Sequence, residues 1–171
     1  MDNINIRMAS TAEQLDEVRK LIKTFVSWHL ARHTEDADLI NAYFDTAAFE
    51  KELRELPGKY GPPDGALLIA TMNGEAAGCV ALRRMDDDCC EMKRMFVYEK
   101  FHGHGIGKKL AMAIISEAKQ SGYKTMKLDT SCRQNEALSL YRKLGFIEVA
   151  PYYELPERLK NWLVFLELNL E

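Results

Sequence analysis

The first third of the chain has a helical pattern of apolar residues. Apolar side chains recur every three or four positions between residues 15 and 25, which predicts an amphipathic helix. Either Ser10 with Glu13 or Thr11 with Gln14 has the spacing of a capping box at the start of this helix. A second helical stretch is predicted from about residue 38 to residue 56, where a Pro-Gly pair ends it.

From residue 66 the pattern changes to that of β-strands. Two apolar segments, ALLIATM and AAGCVALRRM, flank Asn73-Gly74, which is a strong signal for a β-hairpin. A turn at residues 86–88 precedes the strand CCEMKRMFV. Helices are then predicted at about 107–121 and 137–144, and the strands YKTMKLDT, FIEVAPYY and WLVFLELNL account for the rest. The predicted order α, α, β, β, β, α, β, α, β, β describes an α/β (α+β) protein with a mixed central sheet.

Composition narrows the class of protein. A length of 171 residues, 47% of them hydrophobic, suits one domain spanning residues 1–171. The net charge of −3 provides no general attraction to nucleic acid or to an anionic membrane. No apolar run is long enough to span a membrane, and the start of the chain lacks the pattern of a signal peptide. The four cysteines and four histidines have no metal-ligand spacing. We therefore expect a cytoplasmic protein with reduced cysteines that binds no metal, no nucleic acid and no membrane.

The segment FHGHGIGKKL places glycines at alternate positions, Gly103, Gly105 and Gly107, directly before a predicted helix. The first N–H groups of a helix lack partners within the helix and carry partial positive charge, so such a segment can bind phosphate. Its G-x-G-x-G spacing does not match the dinucleotide fingerprint, and no G-K-[S/T] follows for a P-loop. A glycine-rich connection without a ligand is the simple alternative.

Three segments together resemble the GNAT superfamily of N-acetyltransferases. Residues 102–107 resemble its acyl-CoA loop, written [Q/R]-x-x-G-x-[G/A], and EMKRMFV resembles its fourth strand. NEALSLYRKLGF is similar to its N-x-x-A-x-x-x-Y-x-x-x-G-F helix. The resemblance covers most of the chain and implies the GNAT fold, with about six or seven strands in a mixed sheet, flanking helices and a splayed pair of strands 4 and 5.

The resemblance also implies that acetyl-CoA is the co-substrate and that its pantetheine arm pairs with the main chain of Met95, Phe96 and Val97. Asn135, in the following helix, is expected to contact the same arm. His102 stands where the family usually has Gln or Arg, so the charge at this position depends on pH near neutrality. The diphosphate is expected on His102, Gly103, His104, Gly105, Ile106, Gly107 and Lys108.

The activity implied by the resemblance is transfer of an acetyl group to a primary amine by direct attack in a ternary complex. Tyr141 matches the tyrosine of the family near the departing sulfur, although its helical spacing alone indicates a core residue. Glu91 is the candidate general base, and an outward-facing strand residue is the alternative for it. The N–H of Val97 is expected to polarise the thioester carbonyl, as in an oxyanion hole.

The acceptor is left open by the sequence. A small amine, an amino acid, an antibiotic and a protein or peptide amine all fit the resemblance. Acidic residues at positions 86–88, Glu91 and Asp129 are candidates for an acidic approach to a cationic amine. A non-catalytic module that binds or senses acyl-CoA is the alternative function. Many relatives dimerise, so a homodimer is one assembly that the resemblance allows.

Overall fold

A mixed sheet forms the centre of the molecule. The computed structural model describes all 171 residues. Its strands are β1 (Ile4–Met8), β2 (Ala66–Met72), β3 (Glu75–Arg84), β4 (Cys89–Val97), β5 (Thr125–Ser131), β6 (Ile147–Val149) and β7 (Leu163–Asn169). They are ordered β1-β2-β3-β4-β5-β7-β6, and only the β4–β5 pair is parallel. The expected mixed sheet of six or seven strands is therefore confirmed.

Helices cover both faces of this sheet. They are α1 (Ala12–Arg32), α2 (Ala37–Phe44), α3 (Ala47–Arg54), α4 (Ile106–Gln120) and α5 (Asn135–Lys143). Apolar side chains of α4 and α5 form a core with one face, and those of α1, α2 and α3 form a second core with the other. None of the helices is both long and apolar enough to cross a membrane.

The first helices differ from the sequence prediction in detail. The capping box at the start of α1 is formed by Thr11 and Gln14, each side chain accepting from the backbone N–H of the other. The single helix predicted over residues 38–56 is wrong, because the chain leaves the helical conformation after Phe44. Thr46 then caps a new helix by accepting from the N–H of Phe49 at 3.0 Å.

Two strand predictions also need correction. β1 was not predicted, although its Ile4 and Ile6 alternate with polar residues and pack against the sheet. The strand predicted over FIEVAPYY ends after Val149, and Pro151 follows, a residue without an N–H for a sheet ladder. The Asn73-Gly74 hairpin is confirmed, with φ values of 53° and 87° at the turn.

The parallel pair β4–β5 separates halfway along its length. Pairing ends at Glu91 opposite Lys127, although β4 continues to Val97 and β5 to Ser131. On the other edge of β4 the register with β3 shifts, and Arg94 in the shifted segment has a φ of 58°. A bulge of this kind bends a strand and increases its twist, which turns the end of β4 away from β5. The splayed pair expected from the sequence is thus present.

A buried histidine makes the stability of this fold dependent on pH. His29 of α1 stacks between the rings of Phe25 and Trp162, at centroid distances of 5.9 and 5.7 Å. Burial and, to a smaller extent, the nearby His33 lower its pKa from the ordinary 6.5 to about 4. Between pH 6.5 and 4, His29 is therefore neutral in the folded chain and protonated in the unfolded chain.

We predict that His29→Phe weakens the acid sensitivity of folding. Between pH 6.5 and 4 the unfolded wild-type chain binds a proton that the folded chain does not, so lowering the pH favours unfolding. Over this window the histidine costs up to about 3 kcal/mol, at about 1.4 kcal/mol per pKa unit. Urea unfolding at pH 6.5 and 4.5 measures the difference. His104→Gln, at an exposed position, is the control, and equal pH dependence in His29→Phe and wild type would refute the account.

Candidate active site

The opening between β4 and β5 contains a cavity of about 70 Å³. Its walls come from the separated halves of both strands, from α1 and α2 on one side, from α5, and from the start of β7. More than half of the residues that line it are hydrophobic. A concave, mainly apolar wall with a few polar groups is typical of sites that bind small molecules.

The end of β4 presents its main chain to this opening. Tyr98 donates its N–H to the carbonyl of Ala77 in β3. Because the N–H and C=O groups of successive strand residues point to opposite sides, those of Val97 point away from β3. The carbonyl of Val97 accepts from the Nε2 of His102 at 2.9 Å. Met95 lines the cavity, whereas the side chain of Phe96 lies in the core beneath α1. Of the three expected β4 residues, Met95 thus lines the cavity, Val97 lies at the end of the strand beside the loop, and Phe96 faces the other way.

The glycine loop joins this end of β4 to α4. Gly103 and Gly105 have φ values of 88° and 76°, and a Cβ on either would meet no heavy atom within 4 Å. The N–H groups of residues 103–108 donate to no acceptor in the chain; the donors on either side, His102 and Lys109, are paired with Glu99 and Gly105. Left-handed glycines beside open space and a row of free N–H groups are the features an anion site requires.

Other residues hold the loop in place. Ile106 is buried in the core under α4, and a Cβ added to Gly107 would lie 4.0 Å from the side chains of Val97 and Leu140. His104 contacts a carboxylate oxygen of Asp2 at 3.0 Å. The side chain of Lys108 is exposed beside the first turn of α4. The expected diphosphate residues are thus adjacent to one another and to the end of β4.

Tyr141 reaches the cavity from α5. The residue is buried against Phe146 and lines the cavity, so both the core interpretation and the site interpretation describe its position. Burial raises the pKa of its phenol well above the ordinary value of 10, and the negative charge of Asp129 raises it further. Its hydroxyl is therefore a neutral hydrogen-bond donor over the physiological range of pH.

The start of α5 contributes a residue that the sequence did not indicate. Asn135 is the first residue of the helix and is exposed, outside the walls of the cavity. Its neighbour Gln134 is buried and lines the cavity, and the Nε2 of that side chain has no hydrogen-bond partner. The sequence indicates only that Gln134 and Asn135 are both polar residues near the start of a helix. It does not indicate that Gln134 is buried and Asn135 exposed.

Glu91 is fully buried beside the cavity and does not line it. Its Oε1 accepts from the Nε of Arg83 at 2.7 Å, and its Oε2 accepts from the hydroxyl of Tyr152 at 2.5 Å. The Nζ of Lys93 lies 3.8 Å from the same Oε1. Glu91 is therefore not the outward-facing strand residue of the alternative interpretation, because it is held in a buried network.

The carboxylate that lines the cavity is Asp129 of β5. Its Oδ1 accepts from the hydroxyl of Tyr43 at 2.7 Å, and its Oδ2 accepts from the hydroxyl of Tyr153. The acidic residues at 86–88 do not reach the cavity; Asp86 instead accepts from the N–H groups of Asp88 and Cys89 within the β3–β4 turn. An acidic approach built on residues 86–88 is therefore wrong, and Asp129 alone supplies negative charge to the cavity wall.

No group of three or more His, Cys, Asp and Glu side chains has an arrangement that could hold a metal ion. The site thus combines a cavity lined by the phenol of Tyr141 and the carboxylate of Asp129 with a loop of free N–H groups that follows the end of β4.

Solved structures share this architecture. An acetyltransferase of the GNAT family from Staphylococcus aureus superposes with a TM-score of 0.74 at 22% identity, covering 99% of this chain and 100% of that one. The PaiA N-acetyltransferase from Thermoplasma acidophilum, solved in complex with coenzyme A, has a TM-score of 0.74 at 19% identity, covering 98% and 99%. At these identities the likeness establishes the fold.

N-acetyltransferases from other organisms are similar to this chain in sequence. An uncharacterized N-acetyltransferase of Schizosaccharomyces pombe is 33% identical over 90% of this chain and 89% of its own length. An uncharacterized N-acetyltransferase of Dictyostelium discoideum is 28% identical over 97% and 99%. The model of the acetyltransferase (GNAT) family matches residues 24–146, which include β4, the glycine loop and α5. This chain belongs to the acetyltransferase (GNAT) family.

Proposed function

We propose that this acetyltransferase binds acetyl-CoA between β4 and β5 and transfers the acetyl group directly to a primary amine in the cavity. The observation that carries the proposal is the position of the free N–H groups of residues 103–108 just beyond the end of β4, a strand whose residues 92–95 line the cavity. When bound, acetyl-CoA supplies an activated thioester. Names of relatives do not fix the acceptor, because one is an N-acetylaspartate synthetase and another an IAA acetyltransferase.

The loop suits the diphosphate of this co-substrate. Free N–H groups at the start of α4 and the positive end of its dipole favour an anion, and the exposed Lys108 and Lys109 add charge nearby. The open space beside Gly103 and Gly105 admits phosphate oxygens to the main chain. His102, which donates to the carbonyl of Val97, ties the loop to the end of β4.

The chemistry assigns separate roles to the main chain and to side chains. The acceptor nitrogen forms a bond to the acetyl carbon, the carbon–sulfur bond breaks, and the N–H of Val97 stabilises negative charge on the carbonyl oxygen. Tyr141 donates a hydrogen bond to the departing sulfur. Because burial raises the pKa of this phenol, complete proton transfer to a thiolate is uphill, and stabilisation by the hydrogen bond carries more of the effect.

A carboxylate must accept the proton that the amine loses. Glu91 was the candidate, yet both of its oxygens are engaged by Arg83 and Tyr152 and it does not line the cavity. Asp129 lines the cavity and holds only neutral phenols. We therefore assign proton acceptance to Asp129, directly or through water, and assign to Glu91 the positioning of the network behind it.

The cofactor site is tested by comparing two glycines. Gly105→Ala should raise the Kd of CoA at least about tenfold, because the methyl group occupies the space proposed for the diphosphate and the left-handed backbone is strained. Gly74→Ala is the matched control, since Gly74 has a similar φ of 87° with nothing near its Cβ but lies in the distant β2–β3 turn. Calorimetry measures both. Equal CoA affinity in the two variants would refute the placement.

The assigned roles are separated by pH profiles of kcat for three variants. In Asp129→Asn, kcat should fall about 10²–10⁴-fold, which is the usual contribution of a positioned base. The decline of kcat at low pH, called the acidic limb of the profile, should also disappear. Tyr141→Phe should lower kcat and keep the limb, with unchanged CoA affinity. Glu91→Gln serves as the matched amide control and should keep the limb.

Loss of the limb in Glu91→Gln but not in Asp129→Asn would return the role of base to Glu91. An unchanged kcat in Tyr141→Phe would remove Tyr141 from the reaction. Melting temperatures of the three variants establish that each change in rate belongs to a folded enzyme.

A further inference from the structure

Two opposite charges face each other across the mouth of the opening. Lys93 and Asp129 each lie two residues beyond the last paired positions, Glu91 and Lys127. Because side chains alternate along a strand, all of these charged groups point to the face covered by α1, α2 and α3. Lys93 and Asp129 both line the cavity, one from each strand.

The ammonium of Lys93 is buried without an adequate partner. Its side chain is only 14% exposed, and its single hydrogen bond is to the hydroxyl of Tyr43 at 3.3 Å. The nearest carboxylate oxygen, Oε1 of Glu91, lies at 3.8 Å and already accepts from Arg83 at 2.7 Å. Burial lowers the pKa of Lys93, although Asp129 opposes the effect. A buried ammonium with unused donors is costly, so the site favours an anion from the cavity.

Asp129 has the complementary position. It forms no ion pair in the chain, since none of its oxygens lies within 4.0 Å of a Lys, Arg or His nitrogen, and its partners are two phenols. Tyr43 accepts from Lys93 and donates to Asp129, which keeps the two charges connected but apart. A carboxylate with neutral partners, on the wall of a cavity, favours a cation from the cavity.

The other charged groups of the cavity wall are occupied or neutral. Arg94 forms two hydrogen bonds with Glu52, at 2.7 and 3.2 Å. His29 stays neutral above pH 4 because it is buried. The cavity therefore presents one available cation, Lys93, and one available anion, Asp129, which Tyr43 links.

We propose that the acceptor is a free amino acid whose ammonium group binds Asp129 and whose carboxylate binds Lys93. The inference rests on the proposed function and adds the substrate class to it. A simple alkylamine would give Lys93 no anion in the cavity, and the terminal amine of a peptide has no carboxylate beside it.

The test measures release of free thiol from acetyl-CoA with the free amino acids, their methyl esters and the corresponding decarboxylated amines. The kcat/KM of the best amino acid should exceed that of its ester and its amine by about ten- to a hundredfold, the usual effect of a charge-assisted hydrogen bond. Lys93→Met should remove this preference by lowering the value for the acid alone, and Lys93→Arg should restore part of it.

Lys59→Met is the control, because the ammonium of Lys59 pairs with Glu52 outside the cavity and its loss should leave the preference unchanged. Equal kcat/KM for acids, esters and amines would overturn the amino-acid assignment and leave the proposed function intact. A preference for acids that survives in folded Lys93→Met would overturn the role of Lys93. Absence of thiol release with every amine, while calorimetry shows CoA binding, would overturn the proposed function itself and favour a binding module.

Discussion

The end of β4–β5 pairing after Glu91 and Lys127 is the constraint on which the rest of the site depends. Parallel strands that stayed paired would have closed the sheet, left no cavity and satisfied the main chain of β4 from both sides. Because they separate, β4 has no partner strand on this side beyond Glu91, the cavity forms and Tyr141 can reach it. A gap in a sheet is costly wherever main-chain groups lose partners, so the opening is best understood as a place for a ligand that pairs with the strand.

The separation is maintained by the bulge at Arg94. A non-glycine residue with a φ of 58° costs on the order of 1–3 kcal/mol and persists only when its surroundings enforce it. Here the guanidinium is anchored to Glu52 and lies over the rings of Phe44 and Phe49. Burial acts to raise the pKa of Glu52, but Arg94 and Lys59 lower it to about 2, so the pair stays charged. Helices α2 and α3 thus hold the strand in the shape that opens the sheet.

Local features of the fold and site were accessible from the sequence. Glycine spacing marked the loop, Asn73-Gly74 marked the hairpin, and the motif in α5 marked Tyr141. Properties that depend on register were not accessible. The alternation of side chains within each strand is visible in the sequence. Only the pairing of Glu91 with Lys127 shows that Lys93 and Asp129 lie opposite each other. The burial of Glu91 likewise depends on side chains far away in the chain, and no local pattern indicates it.

The most direct test of the account is amide hydrogen exchange with and without CoA. Exchange at Val97 and at residues 103–108 should be slower when CoA is bound, because the N–H groups of residues 103–108 have no acceptor in the chain and the main chain of Val97 is turned away from β3. Exchange at the Asn73-Gly74 turn should stay the same. Binding of CoA with protection confined to other segments, and none at Val97 and residues 103–108, would contradict the central claim that the opened β4 edge and the glycine loop form the co-substrate site.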